Sequence, residues 1–470
     1  MMRLLFLVHR YLGIVVGALM VMWCVSGVVM MYVGYPGLDP AVRLSRLAPI
    51  VWRGCCRISD GALEGSEAVG SFRVEMLAGR PVLHLRGAES PGLIDLISGA
   101  PIDEVSTAQA EQVAAAFGNV PAPRLLGKID YDQWTVGDNV AGAAPLYHFA
   151  LGDHAGSELY VSSASGEAVQ LTSAHQRFWN WLGAVPHWLY FAQLRHRPLL
   201  WSRIVIWTSL IGCFLAASGL YIGVRQVLCS ASGRWSPYRG FQWWHHIAVL
   251  IFGLFTLTWI FSGFTSMNPW GWMEGSSAGP VLRRLSGPQI TGTQLRAALQ
   301  GLAAAHPDGI ASLEGVPLDG RLYWIAASTD GASRRLDASG TAAPLGRSDL
   351  TYIAGALSGG GGAALQLLTR GDEYYFSQPG AVVRLPVYRL VLRDGSDTRY
   401  YVDPLAGMLI ARMDRADQHY RWWHEALHEM DFAAILRGRP QWDVLMWLLM
   451  VGVTTVCASG TYLGYRRLTR

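Results

Sequence analysis

The sequence predicts a membrane α-helical bundle of four transmembrane helices with a two-fold internal repeat, carrying two periplasmic α+β regions. Three observations predict it. Four apolar runs, Leu4–Val33, Leu199–Val224, Phe241–Thr265 and Trp442–Tyr465, are each long enough for a hydrocarbon core that takes roughly 20 residues to cross. His9 and His245 are 236 residues apart, and so are Ser26-Gly27 and Ser262-Gly263. Pro145, Tyr147, Tyr160, Gly166 and Ser218-Gly219 recur 241 residues later as Pro386, Tyr388, Tyr401, Gly407 and Ser459-Gly460. Fixed offsets are the mark of a repeat.

Composition agrees. Hydrophobic residues are 51% of the 470 and charged residues 15%, ordinary values for a membrane chain and unusual for a soluble one. The 19 tryptophans suit aromatic belts at a bilayer interface. A net charge of +4, with Lys128 the single lysine, gives no sign of nucleic-acid binding. Cys24, Cys213, Cys229 and Cys457 lie in or beside apolar runs. Cys55 and Cys56 are adjacent; neighbouring cysteines rarely bridge comfortably, so the pair reads as incidental. No Cys-x-x-Cys-His or zinc spacing occurs, so covalent haem attachment is not indicated.

The elements follow in order. Residues 1–33 form the first transmembrane helix; the apolar part is too long for a signal peptide and no small-residue cleavage site follows. Residues 34–198 form a first periplasmic region, 199–224 a second helix, 225–240 a cytoplasmic loop and 241–265 a third helix. Residues 266–440 form a second periplasmic region, and 441–470 a fourth helix with a cytoplasmic tail. Arg3, Arg10, Arg225, Arg234, Arg239, Arg466, Arg467 and Arg470 flank the helices on one side. The positive-inside rule places them in the cytoplasm, with both termini, and so puts the chain in a bacterial inner membrane with its large loops in the periplasm. Strands broken by a Gly79 turn and the helical stretch Thr107–Phe117 read as a small α+β module. Leu313–Leu336 and Pro386–Val402 repeat the scheme. The run Gly359–Gly362 reads as a flexible loop.

The repeat also sorts the thirteen histidines: His9 matches His245, and His187 matches His428 at the 241 offset. His9 and His245 open the first and third helices, on the cytoplasmic side. His187 and His428 precede the second and fourth, on the periplasmic side. Intramembrane histidines are costly and usually functional, and imidazole suits iron. Each pair therefore reads as axial ligands of a haem between packed helices, with the small Ser-Gly steps letting helices approach. The ordinary alternative for a single interfacial histidine is headgroup anchoring beside Trp and Tyr. His424, one turn before His428, and His246, beside His245, are alternates. Arg195, Arg197, Arg437 and Arg439 flank the periplasmic ends; they are candidates for haem propionates or an anionic substrate, against the plainer reading of headgroup contact. No Gly-x-Gly-x-x-Gly precedes a helix on the cytoplasmic side, so electrons must come from quinol or another protein.

The segments His-Arg-Tyr-Leu-Gly at 9–13, Trp-Leu-Gly-Ala-Val-Pro-His-Trp-Leu-Tyr at 181–190 and Trp-His-Glu-Ala-Leu-His at 423–428, with four spanning helices, resemble the PepSY-associated transmembrane family. The strand-Gly-strand modules resemble PepSY domains. The resemblance covers essentially the whole chain; its motifs are loose singly, and their order and duplication are specific. It implies two b-type haems between the helices and single-electron reduction of a periplasmic ferric siderophore, releasing Fe(II). His9, His245, His187 and His428 fall where the family's membrane histidines fall. Two other readings stand beside it: a non-enzymatic PepSY protein that binds or regulates a periplasmic protein or peptidase, and electron delivery to a periplasmic protein.

Overall fold

A computed structural model describes residues 2–59, 71–86, 91–137, 140, 142–229, 235–360, 365–378 and 382–469. Four helices are long and apolar enough to cross a membrane: α1 (Met2–Met30), α2 (Pro198–Leu228), α3 (Phe241–Ser266) and α4 (Gln441–Leu468). They mark a multi-pass membrane protein. The strand-bearing segments leave from one end of this bundle, called here the sheet end; the other is the far end.

Glycines set the helix contacts, and they do so twice. A Cβ on Gly17 of α1 would stand 2.7 Å from Thr461 of α4, and one on Gly253 of α3 would stand 3.2 Å from Leu220 of α2. Likewise Gly464 meets Ile14, and Gly223 meets Leu250. Gly17 and Gly253 are 236 residues apart, and Leu220 and Thr461 are 241 apart. The two offsets of the repeat are thus the two helix types of one duplicated interface, in which small residues let backbones approach.

Fourteen strands build three sheets among the described residues. β1 (Ser71–Leu77), β2 (Arg80–Arg86) and β3 (Pro91–Asp95) continue into β8 (Ile310–Leu318), β9 (Arg321–Ser328) and β10 (Ser333–Asp337), in the order β10-β9-β8-β1-β2-β3. β4 (Arg124–Ile129), β5 (Leu146–Ala150), β6 (Glu158–Ser162) and β7 (Ala168–Thr172) form a second sheet. β11 (Gln366–Leu368), β12 (Val387–Val391), β13 (Arg399–Val402) and β14 (Leu409–Met413) form the third. The β1–β2 hairpin turns at Ala78-Gly79 and the β8–β9 hairpin at Asp319-Gly320, all four residues at positive φ, as tight hairpin turns require.

Two expectations change. The α+β regions are not separate bodies: β1 pairs antiparallel with β8, Phe72 opposite Gly315 and Val74 opposite Leu313. The fusion depends on Gly315, where a Cβ would fall 1.8 Å from the Phe72 ring. Phe72 then packs edge-on against Trp324 at 5.4 Å in a shared core. The first residues of each α+β segment therefore find their hydrophobic partner in the other half. Cys55 and Cys56, expected to stay apart, are disulfide-bonded to each other, beside the buried Trp52 and Ile58 of that core. Of the glycine run, Gly359 caps the helix Arg347–Ser358 in the left-handed conformation; Gly361 and Gly362 lie outside the described residues.

Candidate functional site

Each repeat-related histidine is seated on the serine of a Ser-Gly step. At the far end, His9 Nδ1 lies 3.1 Å from Ser218 Oγ, and His245 Nδ1 lies 3.0 Å from Ser459 Oγ. At the sheet end, His187 Nδ1 lies 3.1 Å from Ser26 Oγ, and His428 Nδ1 lies 2.9 Å from Ser262 Oγ. The four serines were legible as helix-packing residues. That each receives an imidazole was not.

The hydroxyl protons decide the tautomer. Ser218 donates to Leu215 O at 2.9 Å, Ser459 to Thr455 O at 2.6 Å, Ser26 to Met22 O at 2.7 Å and Ser262 to Trp259 O at 2.8 Å. A hydroxyl has one proton. Once it is given to the helix carbonyl, Oγ can only accept from the ring, so each histidine carries its proton on Nδ1. His187 Nδ1 also stands 3.0 Å from Trp23 O, a pure acceptor. The Nε2 lone pair of each ring is left without a hydrogen bond among the described residues. That is how a metal-ligating histidine is held by the partner of its other nitrogen.

At three of the four seats the glycine after the serine makes room for the ring. A Cβ on Gly219 would stand 2.6 Å from His9 Cε1, one on Gly460 3.1 Å from His245 Cε1 and one on Gly27 3.3 Å from His187 Cε1. Only Gly263 faces open space.

At the sheet end the rings of His187 and His428 face each other, centres 6.1 Å apart and planes at 72°. At the far end His9 is seated on α2 and His245 on α4. Withdrawal from water lowers His187 to about 4. It lowers His428 to about 3, helped by His187 and His424 alongside. Both rings are therefore neutral, as a metal ligand must be.

The other candidates fall elsewhere. His424 sits on a π-helical stretch, Arg421–Ala426, with Nδ1 2.8 Å from Ser262 O and its ring 5.7 Å from that of His428. His246 is fully engaged: Nδ1 lies 2.8 Å from Ser236 Oγ and Nε2 2.9 Å from Gly223 O. It ties the loop after α2 to the bundle and has no nitrogen left for a metal. Arg195 is buried with its guanidinium over the Trp201 and Tyr190 rings, at 4.7 and 5.3 Å. Arg437 lies 4.0 Å over Phe376 and donates to the carbonyls of Asp372 and Asp431. Arg439 reaches Met31 O at 2.7 Å.

Beside the histidines, the chain from Arg421 to Asp431 holds a buried charge cluster. Arg421 pairs with Asp431 at 2.8 Å. Burial, with Asp431 and Glu425 nearby, raises Glu429 to about 7. Glu75, His84 and Glu167 also converge. Arg43 grips both carboxylates, and so does Arg73. Two guanidiniums fill the charge that a cation would bring, so this group is a salt-bridge lattice across β1, β2 and the β6–β7 turn.

No family model matches this chain, and no curated protein matches it.

Proposed function

We propose that the protein is a transmembrane electron carrier that holds two b-type haems and reduces a ferric siderophore. The observation that carries the reading is the four-fold seat: four imidazoles, each donating from Nδ1 to a serine and each presenting Nε2. Four such nitrogens, in two groups at two levels of an apolar bundle, call for a common partner. An iron porphyrin is flat, largely apolar and takes imidazole at both faces. The donor set fits it: His187 and His428 would hold one haem at the sheet end, His9 and His245 the other at the far end.

When bound, haem supplies a one-electron couple. The chain's own residues do the rest. The serines fix the tautomer and aim each ring. The glycines leave room for it. The helices exclude water. The contact of Gly17 with Thr461 puts Ser459 level with about residue 19 of α1, some seven residues short of Ser26. At 1.5 Å per residue the two serine levels are roughly 10 Å apart.

The siderophore rests on the resemblance to the PepSY-associated transmembrane family. In the same reading the chain lies in a bacterial inner membrane, with sheets and substrate in the periplasm and the donor, quinol or a protein, serving the cytoplasmic end. The test is a spectrum of the purified chain from haem-sufficient cells. A Soret band and a sharp reduced α-band are expected, diminished by His→Ala at 9, 187, 245 or 428 and unchanged by His84→Ala. A colourless protein would favour a PepSY binding module instead. Reduced protein mixed with ferric chelates should reoxidise; failure with every chelate removes the siderophore.

A further inference from the structure

Cys24 of α1 and Cys457 of α4 face each other with their sulfurs 3.8 Å apart, and both are free thiols. They lie in a cluster with Val16, Met20, Leu215 and Val453. The glycine contacts at Gly17 and Gly464 fix the two backbones on the far-end side of this level, and Gly27 meets Met450 on the sheet-end side. Each cysteine is two residues before a seat serine, Ser26 or Ser459, so the pair lies between the two histidine levels.

The repeat supplies a comparison within the chain. The α2–α3 interface is the duplicate of α1–α4. There the positions that correspond to Cys457 and Cys24 are Ala216 and Ile260. Helix packing at this level is thus met by ordinary apolar residues. Both partners are cysteine at one copy of the interface and neither is at the other. The sulfurs, 3.8 Å apart, stand within about 2 Å of the ~2.05 Å of a disulfide.

We propose that Cys24 and Cys457 are an oxidative modification site that closes to a disulfide under a lipid-soluble quinone and staples the two halves of the bundle between the histidine levels. The S–S bond forms as both S–H bonds break. The quinone takes the two electrons and two protons and leaves as hydroquinone, so the step balances within the bilayer. Cys24, only partly covered at the helix surface, is the thiol a quinone in the lipid would meet first. The inference is independent of haem.

The test uses the full chain in lipid nanodiscs, with and without a short-chain benzoquinone, then denaturation, maleimide labelling and mass analysis without reductant. The free cysteines are Cys24, Cys213, Cys229 and Cys457. Quinone should lower the labels from four to two and yield one linked peptide carrying Cys24 and Cys457. Cys24→Ser should keep all its remaining thiols labelled and give no link, whereas Cys213→Ser with Cys229→Ser should leave the link intact. Four labels on the quinone-treated wild-type chain, or a link involving Cys213 or Cys229, would overturn the proposal.

Discussion

The imidazoles of His187 and His428 stand 6.1 Å apart, centre to centre, although 241 residues separate them in the chain. Each is seated on a span of its own half: His187 on Ser26 of α1, His428 on Ser262 of α3. The spans set the distance between the rings, and the serines set which nitrogen each ring presents.

Ser262→Ala should therefore damage the site without touching a ligand. The variant leaves His428 without its hydroxyl acceptor and frees the ring to turn. Loss of such a supporting partner costs about 10–100-fold in affinity for a bound metal group. Haem titration into the apoprotein measures it, and Ser262→Thr should restore most of the loss.

Gly219→Ala places a methyl 2.6 Å from His9 Cε1. Alanine is favoured over glycine in a helix by about 1 kcal/mol, so the helix itself gains. On the proposed two-haem reading, the expected result is a folded protein with about half the haem of wild type by pyridine haemochrome assay. Gly263→Ala, which meets nothing within 4 Å, should keep all of it.

Gly315→Ala drives a methyl into the Phe72 ring across the β1–β8 pair. Overpacking of this kind costs about 1–3 kcal/mol. The thermal midpoint of the sheet region should fall, while the haem spectrum of protein held below that midpoint stays unchanged.

Glu429 gives a pH dependence. Its value in the folded protein, about 7, lies above its ordinary value of 4.5. A raised carboxyl stabilises the fold fully below the ordinary value, and the contribution is lost as pH rises through about 7. Glu429→Gln removes the loss. The variant should match wild type in thermal midpoint at pH 4 and exceed it at pH 8.

Much of this was legible beforehand, for a physical reason. Spanning helices announce themselves because lipid demands about 20 apolar residues in a row. The duplication showed because both offsets run through residues whose roles are local, such as Gly166, at positive φ in the β6–β7 turn, or the Ser26-Gly27 step. Histidines 9, 187, 245 and 428 were separable from the other nine because a repeat tests position and ignores chemistry. His246 could not be judged that way: its partners Ser236 and Gly223 lie on other segments. Nor could the bond between Cys55 and Cys56, or the fusion of β1 with β8, since both depend on backbone placement that no local pattern encodes.

Read as a string, the chain settles that four apolar helices occur, that they form two related halves, and which histidines the halves share. Folding in three dimensions decides which serine each imidazole meets, and so which nitrogen it offers. A periodicity can report that a face is apolar; a proton on Nδ1 depends on an oxygen 2.9–3.1 Å away on another helix, and the packing of helices alone sets that distance.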